Sequence, residues 1–97
     1  MEKYEIDIKE LKKKQANNAK IIDVRSSQEY NERHIQGAIN IPYYEINNNS
    51  KNKLGDKNQE IVVYCSYGGR SKIAYNRLKK LGYNNVYSLY RGIDFWI

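Results

Sequence analysis

Apolar positions along the chain come in two rhythms. Lys20-Ile21-Ile22-Asp23-Val24, Glu60-Ile61-Val62-Val63-Tyr64 and Asn85-Val86-Tyr87-Ser88-Leu89 are short runs of β-branched or aromatic character. Such runs are too short for buried helices and predict buried strands. Ala38-Ile39-Asn40-Ile41, stopped by Pro42, predicts a fourth strand, and Tyr4-Glu5-Ile6 an edge strand. Helical signals fall between them. Asp7 followed by Glu10 has the spacing of a capping box, with Ile8, Leu11 and Ala16 behind it. Ser26 with Glu29 repeats that spacing and predicts a short helix through Arg33. The strongest helix is predicted from Ser71 to Leu81, where Ala74, Leu78 and Leu81 share a face and Gly82 stands at the C-terminal stop. Asn47 to Lys53 is polar enough to predict a surface loop. Strands that alternate with helices predict an α/β domain with a mostly parallel sheet covered on both faces.

Length changes this picture little. The 97 residues fit one small domain, predicted to span 1–97, with no internal repeat and no linker. The hydrophobic share of 40% and charged share of 29% are those of a globular chain. No run approaches the ~18 apolar residues of a membrane span. Residues 1–14 alternate charge with apolar side chains and lack a signal-peptide core, so a cytoplasmic protein without membrane partners is expected. The net charge of +6 is spread over lysines in separate segments, and the ten tyrosines form no base-stacking platform. Nucleic acid is therefore not the expected partner; a small anion is. One His and one Cys exclude an internal disulfide, a CxxC pair and a His/Cys metal site. Cys65 is then either a buried core thiol or a reactive one.

The segment Tyr64-Cys65-Ser66-Tyr67-Gly68-Gly69-Arg70-Ser71 points to the second. Ligands of parallel α/β sheets bind at the carboxyl ends of strands, and Cys65 follows such an end. Gly68 and Gly69 let the loop curl and aim its N–H groups inward. A helix N-terminus adds amide donors, and Arg70 a forked cation. These features favour an anion at the loop centre, and the sulfur of Cys65 is the atom best placed to carry it. Ser71 is expected to cap the helix, Tyr67 to shape the entrance, and Arg25 with Glu29 to form a local ion pair. Asp23 and His34 are expected to tie the strand end to the following turn.

Cys65-x-x-Gly68-x-Arg70-Ser71 on a strand-to-helix turn resembles the active-site loop of the rhodanese family. Asp23-Val24-Arg25 with Glu29-Tyr30, then His34-Ile35-x-Gly37-Ala38-Ile39-Asn40-Ile41-Pro42, is similar to the family's N-terminal signature. Ala74 to Gly82, Asn85-Val86-Tyr87-x-Leu89, Gly92 and Trp96 resemble its C-terminal half. The resemblance implies a small doubly wound α/β domain and a sulfurtransferase. Cys65 would take sulfur from thiosulfate or a protein persulfide and pass it to a thiol or cyanide. Ser66, Tyr67, Gly68, Gly69, Arg70 and Ser71 would bind the donor, Arg70 orienting its anion. No cofactor is implied beyond the transient persulfide. The six residues from Cys65 to Arg70 resemble sulfur-handling loops, whereas related phosphatases and arsenate reductases carry seven. A phosphatase or arsenate reductase is thus the weaker alternative, beside a non-catalytic interaction module. Three features depart from the family pattern. Arg91 and Arg33 stand where glycines are usual, and the chain stops at Ile97, so a short last helix is expected.

Overall fold

The computed structural model describes residues 1–97 and arranges them as a five-stranded parallel sheet between two layers of helix. In chain order these are β1 (Glu5–Ile6), α1 (Ile8–Ala16), β2 (Lys20–Asp23), α2 (Ser27–Glu32) and β3 (Ile39–Asn40). After two short 3-10 turns, Tyr43–Glu45 and Asn48–Ser50, come α3 (Lys51–Leu54), β4 (Glu60–Tyr64), α4 (Gly69–Lys80), β5 (Asn85–Leu89) and α5 (Ile93–Trp96). The strand order is β1-β5-β4-β2-β3, which puts β4 at the centre. Its register pairs Asp23 with Tyr64 on one side and Val63 with Ser88 on the other.

The two faces follow from alternation along β4. Ile61, Val63 and Cys65 point into a core shared with Ile22, Leu54, Ala74, Leu78 and Val86, beneath α3 and α4. Val62 and Tyr64 point the other way, toward Ile6, Leu11, Ile21, Leu89 and Ile93, beneath α1 and α5. A strand buried on both faces must read as a continuous apolar run, as β4 does.

The predicted α/β class and all five strands are present, the two edge strands being shorter than expected. Asp7 caps α1 by accepting from the Glu10 amide at 2.8 Å. Ser26 and Glu29 form a complete capping box on α2. Two expectations fail. Asn47 to Lys53 is helical rather than a plain loop, because the Asn47 side chain accepts from the Asn49 amide and Leu54 anchors the turn in the core. The helix expected from Ser71 begins two residues earlier, at Gly69, for a reason that belongs to the site. No helix is long and apolar enough to cross a membrane.

Candidate active site

The central strand delivers Cys65 to the carboxyl edge of the sheet, where the chain turns sharply into α4. Gly68 makes that turn possible, with φ of +109°, a conformation that disfavours any side chain. The turn aims two backbone donors at one atom. The amides of Gly68 and Ser71 point at Cys65 Sγ from 3.0 and 3.3 Å. The opening amides of a helix have no partner within it and ordinarily go to a capping side chain. Here the Ser71 amide goes to sulfur, and α4 has no side-chain cap. Ser71 is therefore not the cap but lies inside the first turn. Its hydroxyl donates to the Gly68 carbonyl at 3.0 Å and accepts from Ser88 Oγ of β5 at 2.9 Å.

Cys65 itself is 1% exposed, so its sulfur lies at the floor of the turn and is shielded from water. The backbone beyond β5 closes the opposite side. Ile93 and Asp94 donate their amides to the carbonyls of Cys65 and Ser66, at 2.9 and 3.2 Å. Gly68 also packs against Arg91: a Cβ on that glycine would sit 3.9 Å from the Arg91 backbone. Tyr67 is 79% exposed and projects over the rim. It lines a cleft of about 320 Å³ with Arg91, Asp94 and Phe95.

Charges around the turn are paired differently from the sequence expectation. Arg25 does not pair with Glu29; it is buried against Asp23, with Nη2 to Oδ2 at 2.8 Å. Glu29 instead reaches across from α2 to hold Arg70 in a two-pronged pair, at 2.7 and 3.0 Å. It also accepts from Ser66 Oγ at 3.3 Å and from the Ser26 amide at 3.1 Å. Arg70 first, with Ser26, pulls the Glu29 carboxyl down to about 2. Local spacing favoured Arg25 because it is four residues away, whereas Arg70 is 41 residues away and is joined to Glu29 only by the fold. Asp23 does tie the strand end to the next turn, accepting from the Arg25 amide at 2.9 Å. His34 does not share that role: it is stacked on Tyr30 of α2 and bonded through Nδ1 to the Tyr30 carbonyl at 2.7 Å. Ser66, Tyr67, Gly68, Gly69, Arg70 and Ser71 thus do surround Cys65 as one turn. Glu29, signalled in the sequence only as a helix cap and local ion-pair partner, joins them from α2, and Ser88 and Asp94 join from other elements without any local signal.

A parallel α/β domain whose lone cysteine lies under two inward amides between central strand and helix defines a class, the cysteine-loop α/β domains. The sequence model of the rhodanese-like domain matches residues 7–97, and the chain belongs to that family. Thiosulfate sulfurtransferase PspE of Escherichia coli is 42% identical over 65 residues, which are 67% of this chain and 62% of that protein. Thiosulfate sulfurtransferase GlpE of Coxiella burnetii is 33% identical over 76 residues, 78% of this chain and 69% of that protein. The human single-domain sulfurtransferase TSTD1 has the same fold, with a TM-score of 0.84 over 98% of this chain and 96% of that one, at 24% identity.

Proposed function

We propose that this chain is a sulfurtransferase that carries sulfur as a persulfide on Cys65. The observation that supports this best is the pair of amides converging on Sγ, since donors fixed in a shielded turn favour negative charge on that sulfur. The thiolate attacks the outer sulfur of thiosulfate, a new S–S bond forms, and the old one breaks with its electron pair leaving on sulfite. Cys65 then holds a terminal S⁻ that the amides of the Gly68–Ser71 turn stabilise. Cyanide or an acceptor thiolate takes this outer sulfur and returns the Cys65 thiolate, so charge balances in both halves. Ser66, Tyr67, Gly68, Gly69, Arg70 and Ser71 form the wall that receives donor and persulfide. The chemistry needs no cofactor. Relatives named as thiosulfate sulfurtransferases support the reaction class, and a protein persulfide is the other donor of the same chemistry. The six-residue loop is the feature against a phosphatase or arsenate reductase.

Intact mass before and after thiosulfate, and again after cyanide, tests the proposal. Wild type is expected to gain one sulfur atom and to lose it as thiocyanate. Cys65→Ser is expected to gain none while keeping its circular dichroism. Undiminished transfer by that variant would overturn the role of Cys65. The near-complete burial of Cys65 favours a second reading, a non-catalytic docking domain. That reading requires folded, reduced wild type to take no sulfur from either thiosulfate or a protein persulfide.

A further inference from the structure

We propose that Arg91 is the residue that draws and holds the anionic end of the sulfur donor, in the cleft it forms with Tyr67 and Phe95. The inference deepens the sulfurtransferase reading and rests on it for the identity of the donor. Its basis is a count of the charges at the mouth of the turn. Arg70, the loop's own cation, is already held at both prongs by Glu29. An arginine bonded in this way has its charge met before any donor arrives. Asp94, the acid lining the cleft, is paired with Arg33 of the α2 terminus. Arg91 takes part in none of the molecule's ion pairs. Among the residues that line the cleft, Arg91 is therefore the one positive charge, and no acid of the molecule meets it.

Position supports the same assignment. The Arg91 backbone packs on Gly68, whose amide touches Cys65 Sγ, so this residue sits one layer above the sulfur. Its guanidinium lies over the rings of Tyr90 and Phe95, 5.4 and 5.0 Å from their centroids. Ring faces hold a guanidinium without neutralising it. Arg91 also adopts φ of +64°, a left-handed conformation uncommon for a residue with a Cβ. Backbone strain of this kind is retained where the surroundings fix it, and it turns the side chain into the cleft's lining. A cleft of about 320 Å³ is larger than thiosulfate requires. It suits a donor in which an anionic group and an apolar portion lie close to the transferable sulfur. Arg33 has a supporting part, because by occupying Asp94 it keeps that carboxylate off Arg91.

The test compares alkylation of Cys65 by iodoacetate and iodoacetamide, reagents of similar size that differ in charge, followed by intact mass. Their rate ratio reports attraction of an anion to the sulfur and cancels whatever opening the turn requires. Arg91→Gln retains a Cβ and the same backbone demand. It is expected to lower the iodoacetate-to-iodoacetamide ratio about tenfold, the loss of one charge-assisted contact. Arg91→Lys is expected to keep most of the wild-type ratio, and Arg33→Gln to lower it in the same direction as Arg91→Gln. In thiosulfate kinetics, Arg91→Gln is expected to raise KM about tenfold with kcat within a factor of two. A ratio unchanged in Arg91→Gln would overturn the proposal, as would an Arg91→Lys ratio as low as that of Arg91→Gln. Wild type that takes no sulfur from thiosulfate would overturn the sulfurtransferase reading instead, while the alkylation ratio would still decide whether Arg91 gathers anions.

Discussion

Ser71 shows how much one side chain does when its helix has no cap. Its amide serves the sulfur, its hydroxyl proton holds the Gly68 carbonyl, and its oxygen receives the proton of Ser88. Ser71 and Ser88 are both buried, so no water stands ready to replace a lost partner. Removing the Ser71 hydroxyl leaves two groups unsatisfied, the Ser88 proton and one side of the Gly68 carbonyl. Ser71→Ala is expected to destabilise the fold by about 1–3 kcal/mol, the range for a stranded buried polar group. Ser88→Ala removes a donor while Ser71 still bonds to Gly68, so about 1 kcal/mol or less is expected. The double variant is expected to cost less than the two singles together, because Ser88 has nothing left to lose once Ser71 is gone. Urea unfolding of the four proteins checks this, and strict additivity would mean that the Ser88–Ser71 bond carries no energy.

The next scale is α5, four residues that fold back over the Cys65 turn. Gly92 is the point at which this works. Its φ is +77°, and a Cβ there would lie 2.3 Å from the Ser66 carbonyl oxygen and 2.6 Å from the Tyr67 amide nitrogen. Those are backbone atoms of the turn itself and have no rotamer to move into. A Cβ on Gly68, by contrast, would meet only ordinary van der Waals contact, its nearest neighbours being Arg91 backbone atoms at 3.9 Å. Gly92→Ala combines backbone strain with a clash and is expected to cost about 2–4 kcal/mol. Gly68→Ala carries the conformational part alone, about 1–2 kcal/mol. Equal midpoints of the two variants in urea would contradict the close approach of α5 to the turn. This contact also marks where the sequence stopped being legible. The strands could be read because burial on both faces leaves an unbroken apolar run, and Asp7 and Ser26 because a cap lies within one turn of its target. Gly92 offered no such local sign, since its neighbour Ser66 is supplied by a different element. The start of α4 differs because a serine near a helix start ordinarily caps it, whereas Ser71 lies inside the first turn and its own amide, which a side chain at the cap position would have met, is turned toward Cys65. Glu29 was paired with the wrong arginine because sequence spacing sees only its own helix.

Across the whole molecule, the strand order β1-β5-β4-β2-β3 sets β4 and its turn between the element carrying Glu29 and the one carrying Asp94. Each flank thus brings one acid to the mouth, and each acid is matched by an arginine, Arg70 by Glu29 and Arg33 by Asp94. The Glu29 pair ties α2 to α4, so its protonation loosens a contact between two elements. Arg70, with the Ser26 donors, lowers the Glu29 carboxyl from 4.5 to about 2. A depressed carboxyl stabilises the folded state above its unfolded value, and that contribution disappears as pH falls from about 4.5 through about 2. The pair is about one-third exposed on both sides, so solvent screening limits its worth to about 1 kcal/mol. Glu29→Gln is the informative variant, because glutamine still completes the capping box with Ser26 and removes only the charge. Its urea midpoint at pH 7 is expected to lie about 0.5 M below wild type, from that energy and a slope of roughly 2 kcal/mol per molar urea. The two midpoints should converge between pH 4.5 and 2, where wild-type Glu29 is losing its charge. A gap that stays constant over that interval would show that the loss at position 29 comes from packing or capping rather than from the ion pair that braces the turn.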